Sequence, residues 1–339
     1  MTVQELVVAL RASRGFAHKR DIGNMLALLQ SPSSAPVSAM SQAVALGDDC
    51  AAIADGESYL LFAIEGFVEE FVRKMPWFAG YCGVMVNVSD IYAMGGRPLA
   101  VVDALWGRNA GSASQVLRGM TAASERYGVP IVGGHSNNRS DSDQLAVAIV
   151  GRAQRLLTSF SAPAGDRLVM AVDLRGAYEE PYSYWNASTG APAERLRADL
   201  ELLAMFAEQG LCDTAKDISM AGALGTALML LECSQAGALI DVDAIPRPPG
   251  VGNDDTLLRW LTAFPSYGFL LSVRPSLLDQ ILAHFHQRNI AAAAIGEVHR
   301  SSRVVLRYRN ASAMLWDFAE HPFMMPARRA PEPVPYVCA

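Results

Sequence analysis

Three short clusters in the first half of the chain combine residue types and spacings suited to a metal-bound polyphosphate. The first is Leu46-Gly47-Asp48-Asp49-Cys50-Ala51-Ala52. Adjacent carboxylates after a glycine turn repel one another unless cations or solvent intervene, and two hard oxygen ligands suit Mg²⁺. A solvated Asp-Asp turn is the alternative reading. The second cluster is Val86-Asn87-Val88-Ser89-Asp90-Ile91-Tyr92-Ala93-Met94-Gly95-Gly96. Asn87 and Asp90 are three residues apart, so on a helix they share a face and could meet a metal or nucleotide. A helix simply packed on a sheet accounts for the same pattern. The third is Pro130-Ile131-Val132-Gly133-Gly134-His135-Ser136-Asn137. Paired glycines let backbone amides approach a phosphate closely, although they also end ordinary strands. No P-loop, dinucleotide fingerprint, HExxH or GxSxG elbow occurs.

Alternating strand and helix signals must position these clusters. Ser58–Ile64 reads as a strand, Pro76–Met94 as a helix opened by proline, Leu99–Leu105 as a strand, Ser112–Tyr127 as a helix and Gln144–Val150 as a strand. The turn-rich Ala162-Pro163-Ala164-Gly165-Asp166 marks a boundary. Beyond it the alternation resumes, with strands over Arg167–Val172, Ala238–Val242, Gly268–Val273 and Arg303–Arg307 and helices over Ala193–Gln209, Ala221–Cys233 and Ser276–Arg288. The pattern predicts an α/β (α+β) protein divided into residues 1–160, 161–312 and a proline-rich tail over 313–339.

Composition narrows the partners. The 339 residues carry 28 basic and 34 acidic side chains, a net charge of −6, and 51% are hydrophobic. Nothing in that balance favours nucleic acid or an anionic membrane. The longest apolar run, Met220–Leu231, is too short to span a bilayer. The five cysteines are scattered and show no CxxC pair, which fits a reducing cytoplasmic setting.

Taken together and in this order, GDDCAAI, NVSDIYAMGGRP and IVGGHSN resemble the ATP-binding half of the superfamily of aminoimidazole ribonucleotide (AIR) synthetase, selenophosphate synthetase and thiamine-monophosphate kinase. SDIYAMGGRP and GGHS look most like selenophosphate synthetase. The resemblance implies an AIR synthase-like fold with an ATP-binding first domain whose sheet forms a homodimer, a second α/β domain, and ATP with Mg²⁺ in an acidic cleft. On that basis Asp48, Asp49, Asp90, Asp217 and Glu65 are expected to hold metal, with Glu65 standing where relatives carry a Thr-Asp pair. Asn87, Gly133, Gly134 and His135 are expected at the nucleotide, His135 and Lys19 at the transferred group. Asp217 has a second reading as a helix cap, and Lys19 as a solvated lysine before a helix.

This sequence also departs from the resemblance. No cysteine precedes Cys50, whereas selenophosphate synthetase carries a reactive cysteine or selenocysteine near its amino terminus. His135 and Met220 disfavour thiamine-monophosphate kinase. The aromatic stretch 178–185, with Arg175 before it, offers Tyr178, Tyr182, Tyr184 and Trp185 as a surface for a small-molecule substrate, or as cover for the domain. The expected activity is ATP- and Mg²⁺-dependent phosphoryl transfer to a small metabolite. A non-catalytic nucleotide-binding sensor or assembly protein on the same fold is the alternative.

Overall fold

The computed structural model describes residues 1–29 and 45–325. Two helices come first, α1 (Val3–Arg11) and α2 (Arg14–Leu29). The first sheet contains β1 (Ala51–Asp55), β2 (Ser58–Phe67), β3 (Arg97–Trp106), β4 (Ile131–Asn137) and β5 (Gln144–Ala153), in the order β1-β2-β5-β3-β4. Helices α3 (Glu69–Lys74), α4 (Pro76–Ala93) and α5 (Ala110–Tyr127) belong to this half. Only the β3–β4 pair is parallel, with α5 as its crossover.

Helix α4 is the axis of the molecule. Pro76 occupies its first turn, and 15 of its 18 residues are buried, as expected for a helix apolar on nearly every side. It crosses α5 through glycines. A Cβ on Gly80 would lie 2.0 Å from the Val116 carbonyl oxygen, and one on Gly119 would lie 1.8 Å from that of Trp77. Any larger residue would force the two helices apart.

The second half contains β6 (Arg167–Val172), β7 (Ala177–Tyr178), β8 (Tyr184–Asn186), α6 (Ala193–Glu208), β9 (Thr214–Asp217), α7 (Gly222–Cys233), β10 (Gly237–Asp241) and α8 (Asp254–Leu261). It continues with β11 (Phe264–Pro265), β12 (Gly268–Val273), α9 (Leu278–Gln287), β13 (Ala291–His299), β14 (Arg303–Tyr308) and β15 (Ala311–Asp317). Its main sheet has the order β15-β14-β10-β13-β6-β12-β9, and β11, β8 and β7 form a small separate sheet. The two-domain α/β expectation therefore holds.

Three features differ from the sequence reading. Helices α1 and α2 pack on the second half: Leu6, Leu10 and Phe16 share a core with Leu315, Trp316 and Phe323. Phe16 meets Phe323 edge-on at 5.3 Å. Residues 1–29 thus belong with the second sheet, because their apolar positions match its uncovered face. Residues 313–317, expected in the tail, close that sheet as part of β15, while 326–339 lie outside the described residues. The core also continues across the expected boundary, joining Tyr92 and Met94 of the first half to Leu203 and Phe206 of α6.

Candidate functional site

Four elements converge where the two sheets meet. The turn before β1 supplies Asp49, the last turn of α4 supplies Asp90, the end of β9 supplies Asp217, and β2 supplies Glu65. One carboxylate oxygen from each of Asp49, Asp90 and Asp217 lies within 4.8 Å of the others. Asp90 and Asp217 are each 5% exposed. The cap reading of Asp217 fails, since Ala221 caps α7 without a side-chain bond while the Asp217 N–H donates to Asp49 Oδ2 at 3.3 Å.

Like charges this close and this dry raise one another's pKa. Burial pushes Asp49 up to about 7, against the pull of Lys216. Burial first, then Asp217 and Glu65, holds Asp90 well above the carboxylate range. Asp217 and Glu65 are also raised, chiefly by burial, and Lys19 pulls both back down. Lys19 lies within helix α2 instead of ahead of a helix. Gly15 seats that helix: a Cβ there would lie 2.5 Å from the Met220 carbonyl oxygen at the start of α7.

Lys216 is the functional-site residue that the sequence reading did not assign. Its ammonium bonds to Asp49 and lies 3.9 Å from Asp48 Oδ1, with its side chain 4% exposed. Burial alone would lower its pKa, but Asp49 and Asp48 outweigh burial and keep it charged. A lysine directly before Asp217 was the available signal.

Several expected site residues do other work. Asp48 is fully enclosed by donors: Thr158 Oγ1 at 2.7 Å and the Ser159 N–H at 2.9 Å bond to Oδ2, while Ser159 Oγ at 2.6 Å and the Asp49 N–H at 3.1 Å bond to Oδ1. It fastens a turn and has no oxygen left for metal. Asn87 is wholly buried, donating to the carbonyls of Gly83 at 2.7 Å and Val147 at 3.0 Å, so it joins α4 to β5. Gly133, Gly134 and His135 lie in edge strand β4 and form no loop.

Register explains why β4 does not reach the carboxylates. Glu65 pairs with Val147, Val147 with Asp103 and Asp103 with Gly134, so Gly134 stands three strands, about 14 Å, from Glu65. His135 occupies the next row, with Ala104, Ala146 and Gly66, and alternation points it to the opposite face. There its ring lies 6.3 Å from that of Trp106.

The aromatic stretch covers the junction of the two halves. Tyr182 and Tyr184 stack at 5.1 Å, and both pack edge-on to Phe71 of α3. Trp185 is 7% exposed, packs on Trp260, and donates its indole N–H to the Asp173 carbonyl. Tyr178 packs on Trp185 beneath the Arg259 guanidinium. Arg175 is engaged by Asp173 at 2.7 Å and Asp199 at 3.2 Å. Among the described residues these five pack mainly on one another, on Phe71, Trp260 and Arg259, and on Asp173 and Asp199, as cover for the domain would.

Comparison with known proteins agrees with this fold. Residues 47–153 match the AIR synthase related protein, N-terminal domain, and residues 181–309 the corresponding C-terminal domain. The chain belongs to the AIR synthase-related family. The Synechocystis protein sll0787 is 46% identical over 94% of this chain and 97% of its own length. The Methanocaldococcus jannaschii protein MJ0640 is 32% identical over 71% of this chain and 74% of its own. Among solved structures, T. maritima PurL complexed with ATP superposes with a TM-score of 0.69 at 17% identity, covering 85% of this chain and 48% of PurL. AaThiL complexed with AMPPCP and TMP gives 0.62 at 19% identity, covering 78% of this chain and 88% of AaThiL. These likenesses establish the AIR synthase-related fold. Among the described residues no helix is long and apolar enough to cross a membrane.

Proposed function

We propose that this AIR synthase-related protein is an ATP- and Mg²⁺-dependent phosphotransferase, a kinase or phosphoryl-activating synthetase, acting on a small metabolite. The observation that carries this reading is the meeting of Asp49, Asp90 and Asp217 oxygens within 4.8 Å, with Asp90 and Asp217 buried. An all-oxygen donor set with excess negative charge fits a hard divalent cation. Asp49, Asp90 and Asp217 would hold it, with Glu65 beside them. Bound Mg²⁺ supplies charge neutralisation and orientation for nucleotide phosphates. Lys19, close enough to act on Glu65 and Asp217, adds a mobile positive charge at the edge of the cluster. Lys216 holds Asp49 in place from the second sheet. PurL and AaThiL, each solved with a nucleotide, support the choice of ATP.

Selenide is disfavoured as the acceptor, because Cys50, Cys82, Cys212 and Cys233 are all buried among the described residues. A homodimer is part of the proposal. The first sheet leaves Phe62, Ile64, Val102 and Val132 at 52%, 68%, 40% and 63% exposure, a surface too apolar to stand in water without cover. The alternative, a non-catalytic nucleotide-binding sensor or assembly protein on the same fold, draws on one observation, the distance of Gly133–His135 from the carboxylates within one chain. Titration with ATP, with and without Mg²⁺, followed by an acceptor screen for ADP, AMP or phosphate release, separates the readings. Acceptor-dependent turnover supports the enzyme. Tight Mg²⁺-dependent binding with no turnover supports the sensor, and no nucleotide binding ends both.

A further inference from the structure

A second polar site lies at the other end of strand β9 from the carboxylate cluster. Thr214 pairs with Ser272 of β12 and Asp217 with Phe269, which sets the two ends of β9 three residues, about 10 Å, apart. A cavity of about 260 Å³ opens beside the Ser272 end. Buried Asp166 and Ser272 form its floor, the more exposed Asp213 and Arg274 its rim, and Pro163 and Leu211 an apolar wall. Asp166 is only 6% exposed. Its Oδ2 accepts from Ser272 Oγ at 2.8 Å, whereas Oδ1 takes no hydrogen bond from any described residue. Burial raises the Asp166 carboxyl, and Ser272 and Arg274 pull it back only in part. Arg274 donates through Nη2 to the Gly210 carbonyl and stands 3.8 Å from Asp213, leaving Nε and Nη1 unbonded among the described residues.

These groups do not make a metal site. Among the described residues, acidic groups gather closely enough for an ion at Asp49, Asp90 and Asp217, none of which lies here. The neighbouring Cys212 thiol bonds to the carbonyls of Thr214 at 3.1 Å and Ser272 at 3.4 Å, and burial pushes it up to about 12. We propose that this cavity binds a small zwitterion, one ammonium and one carboxylate on a short carbon frame, which is the chemistry of a free amino acid. The ammonium meets Asp166 Oδ1, the carboxylate meets Arg274, and the rest of the molecule lies against Pro163 and Leu211. A buried carboxylate with an open oxygen calls for a positively charged donor, and an arginine with free N–H groups takes a carboxylate. A carboxylate without an amine would face both Asp166 and Asp213. An amine without a carboxylate would leave Arg274 unused. The volume falls just below the roughly 300–1,000 Å³ of sites for drug-sized ligands, which suits a molecule of amino-acid size. The site shares no residue with the carboxylate cluster and does not rest on the phosphotransferase reading.

The test is isothermal titration calorimetry of the full-length chain, without nucleotide or added metal. The probes are glycine, L-alanine, L-serine, L-leucine, β-alanine and 4-aminobutyrate, with methylammonium and acetate as carriers of a single charge. At least one amino acid should bind, about tenfold or more tighter than either single-charge probe. Arg274→Gln and Asp166→Asn should each weaken that binding about tenfold or more, the loss expected for one charge-assisted contact. The Arg274 side chain is 48% exposed, so its replacement should leave the fold intact by circular dichroism. Binding by none of the six amino acids overturns the proposal, whatever the nucleotide titrations show. Methylammonium or acetate binding as tightly as the best amino acid overturns it too, since one of the two charges would then contribute nothing. Undiminished binding in Arg274→Gln has the same consequence, even if Asp166→Asn does not fold.

Discussion

Ser159 donates both its hydroxyl and its backbone N–H to Asp48, at 2.6 and 2.9 Å, and so ties the turn before the first sheet to the segment leading into the second. Ser159 is itself fully buried, and its carbonyl accepts from Ser234 at 2.6 Å. Asp48→Ala would leave the Thr158 and Ser159 donors without their acceptor. The expected cost is about 2–4 kcal/mol, the range for breaking a buried charged network, read from urea unfolding. Mg²⁺ affinity of the folded variant should change much less than in a variant of Asp90. A stable Asp48→Ala that no longer binds Mg²⁺ would return Asp48 to the metal site.

Asp90→Asn separates ligation from folding. Asp90 lies on a helix whose burial does not depend on the carboxylate, and its charge is opposed by Asp217 and Glu65. Mg·ATP affinity should fall about tenfold or more, at least roughly 1.4 kcal/mol. In EDTA, at a pH high enough to ionise the wild-type Asp90 carboxyl, the variant should melt at a higher temperature than the wild type, because it has no buried charge to accommodate. Calorimetry and thermal melting check the two arms, and unchanged nucleotide affinity would refute the assignment.

Much of this was legible in the sequence, and what was not has identifiable causes. Strands Arg167–Val172 and Gly268–Val273 stand where alternation and apolar runs predict them. Asp49, Asp90 and Asp217 were legible through the resemblance of their motifs to the family. The difference between Asp48 and Asp49 was not visible, since which acid meets Ser159 depends on a partner more than a hundred residues away. The side of β4 that carries His135 depends on register against β3, including the shift between Val101 and Val102. The packing of α1 on β14 and β15 is likewise a long-range match of apolar faces that no local pattern encodes.

Stability of the metal-free protein should depend on pH in a direction fixed by the cluster. Asp49 moves from the ordinary 3.8 to about 7 on folding, and Asp90, Asp217 and Glu65 move the same way. An acid with a raised folded pKa favours the folded state while protonated. That contribution is present below about 4 and is lost as pH rises through about 7. The melting temperature in EDTA should therefore fall between pH 5.5 and 8, and saturating Mg²⁺ should flatten the curve. A melting temperature in EDTA that stays level or rises across that range would contradict the raised values.

The aromatic stretch should behave as scaffold. Tyr184→Ala removes a ring that packs on Phe71, Tyr182 and Phe264 at the junction of the halves. Tyr184 is partly buried, so a loss of about 2–3 kcal/mol is expected, at or below the low end for buried aromatic truncations. Once an acceptor is known, its KM should stay within about twofold of wild type, since a twofold change is below 0.5 kcal/mol. A large KM effect in a stable variant would restore the substrate role.

Ile64→Arg tests the open face of the first sheet. Alternation along β2 places Leu61 and Ala63 toward α4, both buried, and Phe62 and Ile64 on the other side. Ile64 is level with Ala148 of β5, which is level with Val102 of β3, so the apolar residues form a continuous band instead of isolated contacts. A band of this kind needs a partner with the same character, and a second copy of the sheet supplies one by two-fold symmetry. Sedimentation velocity at tens of micromolar should show a wild-type dimer and a largely monomeric Ile64→Arg. The side chain is already 68% exposed in the single chain, so the substitution should leave the fold of each monomer intact by circular dichroism. A wild type that sediments as a monomer would leave that band uncovered and refute the dimer. A dimer that survives Ile64→Arg would move the interface to another face of the molecule.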